Sequence, residues 1–363
     1  MSGDNLVKLG HLARFGNGQD WKKVAADDGE FPVYGSGGQF GWASDFLHDG
    51  EAILFGRKGT VDHPIYVDGK FWTVDTMYYA VPNTDRCRGK YLYYWATTIP
   101  FKTIATNTAL PSVTSMDLSQ LYVPLPPFET QQRIADYLDR ETAEIDAAVA
   151  DLDRYVKLLE KRGKVLIEKT VNGGTYSFSP LWSKIRVQNG FAFDSEKFSP
   201  TKELPVAKIG NVLPGDFSEF IDASELPSES FLIKDGDLVV GMSGDFNRTI
   251  WNKGKAALNQ RVCILKPIAD DDIRYINYAI GSGLKKIHST KFSTTLKNLS
   301  TEEILAIRVP HRTVTEQKEI ATYLDKETAE INDLVVESTR LRDLLLKRRS
   351  VLIAEVVTGR KQV

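Results

Sequence analysis

Apolar residues recur at alternating three- and four-residue spacing in two long stretches of this chain. In the first, Leu138, Ile145, Leu152, Leu159 and Leu166 stand seven apart. Ile134, Ala148 and Tyr155 fill the second seam position, with Glu141 and Arg162 as polar exceptions. In the second stretch the seam is Leu324, Ile331, Ser338, Leu345 and Leu352, with Ile320, Leu334 and Leu341. This period describes helices whose apolar stripes cover each other as a coiled coil. Pro124, Pro126 and Pro127 bar a helix upstream of the first stretch, and Pro310 does so before the second. Gly173-Gly174 and Gly359 supply the stops. A helix of about 43 residues is roughly 65 Å long. The two stretches are copies of each other. Residues 130–146 read TQQRIADYLDRETAEID and residues 316–332 read EQKEIATYLDKETAEIN, an offset of 186 that holds without a gap to residue 173. Half of the aligned positions are identical. Upstream, Thr114 to Asp117 and Ser300 to Glu303 form capping-box patterns at the same offset.

The remaining stretches have another texture. Gly, Pro, aromatic and β-branched residues are frequent, and helical period is scarce. Short strands are predicted at Phe31–Tyr34, Ala52–Phe55, Pro64–Val67 and Thr76–Val81. In the second lobe they are predicted at Pro205–Ile209, Asp237–Met242 and Arg261–Leu265. Short helices are predicted from Gly89 to Thr97 and from Ile273 to Gly281. The expected fold is therefore α+β: two globular lobes with twisted β-sheets, separated by two long helices packed as an antiparallel coiled coil, with approximate two-fold symmetry. The expected domains are 1–127, the central helix 128–174, 175–311 and the C-terminal helix 312–363. The helices repeat closely and the lobes barely do, which suggests one architecture carrying two different recognition surfaces.

Length and charge narrow the function. The chain has 363 residues, 42% hydrophobic and 26% charged, with a formal net charge of −2. That is enough apolar material for a core in each half. A polycationic nucleic-acid coat is excluded, but a local reader of DNA is not. Cys87 and Cys263 are the only cysteines, which suggests a reducing compartment, so the expected location is cytoplasmic. No signal-peptide pattern opens the sequence, and no apolar run approaches the ~18 residues of a membrane span. Gly-Lys at 69, 89, 163 and 254 is never followed by Ser or Thr, so there is no P-loop. Five scattered histidines and two distant cysteines offer no zinc spacing. Gly35-Ser36-Gly37-Gly38 alone is a weak nucleotide-loop signal. Asp68-Gly69-Lys70 loosely imitates a metal-dependent nuclease centre, but it reads more simply as a hairpin turn between Ile65–Val67 and Phe71-Trp72.

The motifs that flank the helices resemble those of the DNA specificity subunits of type I restriction-modification systems, over almost the whole chain. Val123-Pro124-Leu125-Pro126-Pro127 is followed by Glu129-Thr130-Gln131-Gln132-Arg133-Ile134-Ala135. Val309-Pro310 is followed by Glu316-Gln317-Lys318-Glu319-Ile320-Ala321. The lobes carry similar patterns at Phe31–Gly35, Ile53–Gly59, Asp235–Val240 and Leu258–Val262. Pro310-His311-Arg312 departs from the family's Pro-rich run. The resemblance implies two target recognition domains at opposite ends of an antiparallel helix pair, each reading half of a split double-stranded DNA target. It implies a non-catalytic subunit with no metal and no cofactor of its own. S-adenosylmethionine would sit on two methylation subunits, and ATP and magnesium on motor-nuclease restriction subunits.

Base edges are read by Arg, Lys, Asn, Gln and Ser on loops. The candidates are Ser36, Gln39, Arg57 and Lys58 in the first lobe. In the second they are Lys208, Asn211, Ser243, Arg248, Asn259, Gln260 and Arg261. Lys22, Lys23, Lys253, Lys255 and Lys291 are candidates for phosphate contacts, which position rather than specify. Neither lobe has a marked basic excess, so weak DNA binding is expected of the chain alone. Two other readings remain open at this point: a coiled-coil scaffold whose lobes bind protein, and a stand-alone nuclease or methyltransferase.

Overall fold

The computed structural model describes residues 5–106, 111–291 and 297–363. Two helices dominate it, the central helix Phe128–Asn172 and the C-terminal helix Val314–Val357. The chain forms two compact units. One comprises residues 1–155 and 338–363, the other residues 156–337. The division falls within the helices rather than at their ends, because each lobe shares its core with the helical segments beneath it.

In the first unit the start of the central helix packs antiparallel to the end of the C-terminal helix. Arg349 Nε donates to Asp146 at 2.8 Å and Arg342 Nη1 to Asp153 at 3.3 Å. Ile134, Leu138, Ile145, Leu352, Ile353 and Val356 form one core with Tyr91, Leu92 and Trp95 of the lobe helix Gly89–Ala96. In the second unit Ile331 lies against Gly163, and Leu324, Ala321 and Val171 share a core with Tyr275, Ile276 and Ala279. Leu159 is buried, while Leu152, Leu166 and Leu345 are half-buried. The second seam position departs from expectation in the middle of the helices. Tyr155, Leu334 and Leu341 are 43%, 39% and 49% exposed. A lone partner helix covers one stripe; the wider apolar face is buried only where a lobe adds a third layer.

Both lobes have the same topology. The larger sheet of the first lobe runs Ala13–Asn17, Met77–Pro82, Ala52–Gly56, Ile65–Val67, all antiparallel. That of the second runs Ile185–Asn189, Val262–Pro267, Leu238–Gly241, Arg248–Ile250, again all antiparallel. The smaller sheets agree too. Phe31–Gly35 lies antiparallel to Gly38–Ala43 and parallel to Trp72–Thr73. Leu204–Ala207 lies antiparallel to Phe220–Ile221 and parallel to Ala256–Leu258, with Leu232–Ile233 added at the edge. The expected hairpin at Asp68-Gly69 is not formed. Ile65–Val67 pairs with Ala52–Leu54 in one sheet, whereas Trp72–Thr73 belongs to the other. The turn crosses between sheets because Gly69 exchanges backbone hydrogen bonds with Gly50, at 3.2 and 3.3 Å. Lys70 is turned onto the Phe46 ring, 4.7 Å from its centroid.

One set of polar contacts ties each lobe to the helices. Tyr94 Oη donates to Asp139 at 2.8 Å and lies 3.1 Å from Thr142 Oγ1, whose own proton goes to the Leu138 carbonyl. In the second unit Tyr278 Oη donates to Asp325 at 2.8 Å and lies 3.2 Å from Thr328, which bonds the Leu324 carbonyl. Burial pushes the Tyr278 hydroxyl up to about 12. Gln131, almost fully buried, accepts from Arg88 N at 2.9 Å and donates to the Pro126 carbonyl. Gln317, equally buried, accepts from Asp272 N at 2.8 Å and donates to the Arg312 carbonyl. Both capping boxes are formed, Thr114 with Asp117 and Ser300 with Glu303.

Burial holds the Cys87 thiol up at about 11 and that of Cys263 at about 12. Neither should react with a thiol reagent at pH 8 in the folded chain, and both should titrate after denaturation; a fast-reacting native thiol would contradict this packing. Leu138→Ala and Leu324→Ala, at fully buried positions, should each destabilise by about 2–5 kcal/mol. Leu341→Ala, at a half-exposed one, should cost far less in the same denaturant titration.

Candidate nucleic-acid interface

The shared topology gives each lobe three loops at one end of its sheets, and the base-edge candidates lie on or beside them. The first loop follows the strand Phe31–Gly35 in the first lobe and Leu204–Ala207 in the second. The second follows Ala52–Gly56 and Leu238–Gly241. The third runs from Trp72–Thr73 to Met77 and from Ala256–Leu258 to Val262.

Matching backbone hydrogen bonds fix the three loops together. Val74 N donates to Tyr34 O at 3.1 Å, and Asn259 N to Ala207 O at 3.3 Å, joining the third loop to the first. Arg57 N donates to Thr76 O at 2.8 Å, and Met242 N to Arg261 O at 2.8 Å, joining the second loop to the third. The second loop is also held from behind. Gly59 N donates to Pro111 O and Val113 N to Arg57 O, as Gly244 N does to Lys297 O and Leu299 N to Met242 O. Gly59 and Gly244 both have positive φ, +81° and +76°, so glycine is needed at that turn in each lobe. The rigidity of the platform is thus carried by main chain, which leaves side chains free to differ.

In the first lobe Gln39, Arg57 and Lys58 are exposed and Ser36 is half-buried. Ser36 and Gln39 flank the tip of the hairpin, where Gly37 and Gly38 face open space. The Arg57 guanidinium lies over the Tyr78 ring at 5.8 Å. Phe40 and Trp42 are 53% and 46% exposed on the same edge strand, with Trp21 edge-on to Phe40 at 5.1 Å. Sequence reasoning passed over these aromatics because an isolated aromatic in a strand is most often core.

In the second lobe Gln260 and Arg261 are exposed. Arg261 is in the left-handed region, φ 67°, which costs a non-glycine residue about 1–3 kcal/mol. Its Nη1 lies 3.4 Å from Asn298 Oδ1, the atom that also accepts from Ser243 Oγ at 2.8 Å. Asn298 had no sequence signal; it enters the site through an isolated antiparallel bridge with Ser243 on the second loop. Ser243 and Asn259 are buried and act within the platform, Asn259 Oδ1 accepting from Gln260 N at 2.8 Å.

Three candidates are turned to other work. Lys208 forms an ion pair with Glu219. Asn211 caps its own turn, accepting from Lys208 N and donating to the Asp216 carbonyl. Arg248 is directed inward, its Nε donating to the Asn277 carbonyl at 2.8 Å, and burial lowers its pKa. Among the phosphate candidates, Lys253 donates to the carbonyls of Asn211 and Leu213, and Lys291 pairs with Glu303. Lys22, Lys23 and Lys255 are exposed. Among the described residues no three His, Cys, Asp or Glu side chains cluster as a metal site would require, and no helix is long and apolar enough to cross a membrane.

Two lobes of one topology, each with a braced three-loop edge and mounted on a repeated helix, define a recognition protein. The chain belongs to the family of type I restriction modification DNA specificity domains, whose model matches residues 1–149 and 183–336. It is 34% identical over 205 residues to the type I restriction enzyme EcoBI specificity subunit of Escherichia coli, covering 54% of this chain and 43% of that protein. It is 24% identical over 206 residues to the EcoDI specificity subunit of Escherichia coli, covering 55% and 45%. The alignments therefore span less than half of these relatives. A chain from a structural study of complex assembly and conformational transition of the type I restriction-modification system superposes with a TM-score of 0.75 over 98% of both chains, at 13% identity.

Arg261→Gly should unfold no earlier than the parent in thermal melts, because glycine relieves the left-handed conformation.

Proposed function

We propose that this chain is the DNA specificity subunit of a type I restriction-modification complex, with each lobe reading one half of an asymmetric, bipartite target. The observation that carries this reading is the duplicated three-loop platform: the backbone bracing is the same twice, and the exposed side chains differ. One lobe offers Gln39, Arg57 and Lys58, the other Gln260 and Arg261. Arg and Lys pair with guanine O6 and N7, and Gln with adenine N6 and N7, in the major groove. Unlike side chains on like frames select unlike half-sites.

The helices supply spacing and docking. Two half-sites read from one side of B-DNA lie roughly 34–36 Å apart, within the reach of helices about 65 Å long. The exposed apolar residues on the helices need a partner to cover them. They include Leu341, Leu344 and Val351 in the first unit and Leu158, Val165 and Val336 in the second. In this reading they take two methylation subunits, which bring S-adenosylmethionine and modify adenine. Motor-nuclease subunits with ATP and magnesium complete the restriction enzyme, in the cytoplasm. This chain contributes no catalytic group; it orients DNA and partners. With a net charge of −2, it binds DNA weakly alone and tightly only beside the basic surfaces of its partners.

Methylation-detecting sequencing of host DNA, with the gene intact and deleted, tests the reading. Deletion should abolish adenine methylation at one split, asymmetric motif. A scaffold would leave methylation unchanged even on coexpression with an adjacent methyltransferase. Adding one heptad to both helices should lengthen the preferred gap by about three base pairs, since seven residues add ~10 Å. An unchanged gap would remove the helices from the role of spacer.

A further inference from the structure

The third loop contributes Asn259, Gln260 and Arg261 in the second lobe, and matched hydrogen bonds identify their counterparts in the first. Val74 stands in the register of Asn259, since each donates its N–H to the end of the neighbouring parallel strand, Tyr34 O or Ala207 O. Thr76 stands in the register of Arg261, since each carbonyl accepts from the first residue of the second loop, Arg57 or Met242. Gly18 N to Met77 O and Gly190 N to Val262 O, both 3.0 Å, fix the next residue. Asp75 therefore occupies the position of Gln260. Asp75 and Thr76 are exposed, and no donor among the described residues engages the Asp75 carboxylate. Arg57, its neighbour across the loop, lies 5.8 Å over the Tyr78 ring and forms no ion pair with it.

We propose that Asp75 is a specificity-determining residue of the first lobe, accepting a hydrogen bond from the exocyclic amine of a cytosine, with Thr76 as its neighbour at the same base step. This deepens the reading of the lobes as DNA readers and rests on it. A carboxylate can accept from a base amine but repels every phosphate, so it adds nothing to non-specific affinity. Its contribution is discrimination alone, and the exposed cation of Lys58 on the adjoining loop offsets its charge near the DNA backbone. The expected signature of removing the charge is therefore two-sided: tighter non-specific binding and poorer choice of base.

The test uses the full chain coexpressed with its methylation subunits, and reads relative methylation over DNA libraries with each half-site randomised. Asp75→Asn should weaken the preference at one position of one half-site by about tenfold, leave the other half-site and the gap unchanged, and bind non-specific duplex more tightly. Gln260→Ala should act on the other half-site. An Asp75→Asn complex with unaltered preference at every position overturns the proposal, as does one that methylates nothing, because losing one exposed base contact leaves the rest in place. If Gln260→Ala shifts a half-site and Asp75→Asn does not, only Asp75 is misassigned. A parent complex that selects no split motif takes down the reading of the lobes itself.

Discussion

The lobe-to-helix junction is the constraint on which the rest of the molecule depends. A loop that reads bases is useful only if its distance and angle from the helix are fixed, and apolar packing alone permits sliding. Here each lobe helix sends a tyrosine hydroxyl, Tyr94 or Tyr278, to an aspartate and a threonine about three helical turns into the long helix. A buried glutamine, Gln131 or Gln317, stitches the start of the lobe helix to the segment that enters the long one, at the Pro126 or Arg312 carbonyl. Hydrogen bonds of this kind are directional, and leaving a buried partner unmade costs about 1–3 kcal/mol. The junction therefore selects one register where hydrophobic burial would accept several.

Rigidity is passed outward from that junction by main chain. Larger sheet, smaller sheet and the three loops are joined by backbone hydrogen bonds repeated almost bond for bond in the two lobes. Side chains at the loop tips are then free to vary without loss of the frame. Arg261 holds a conformation that disfavours it, and the second loop turns on Gly59 and Gly244. Among the described residues the two non-glycine positions with positive φ, Phe246 and Arg261, lie in the second lobe and none lies in the long helices.

The helices were legible because a heptad survives any neighbour: Leu138 and Leu324 could be named as buried from spacing alone. Strands such as Ala52–Gly56 and Leu238–Gly241 were legible because both faces are covered and their residues are uniformly apolar. The kinship of the lobes was not. It resides in hydrogen bonds of the backbone, which any side chain can make, and in loops whose lengths differ. Arg248 shows the same limit for the site: nothing in a chain of letters says whether an arginine beside a strand faces solvent or the Asn277 carbonyl. Asp75 carries no signal of its own in the sequence; its register with Gln260 lies in the backbone hydrogen bonds of the two lobes.

The division of the chain has a consequence for its birth on the ribosome. The second unit is one continuous stretch, residues 156–337, whereas the first is assembled from residues 1–155 and 338–363. Leu138 must meet Leu352 and Ile353, contacts more than two hundred residues apart in synthesis. The lobe made first therefore waits, its helix face uncovered, while the lobe made second can close its own core and emerge finished. Long-range closure of this kind is slow and leaves apolar surface open to others in the interval. Residues 338–363 complete the unit that residues 1–155 began.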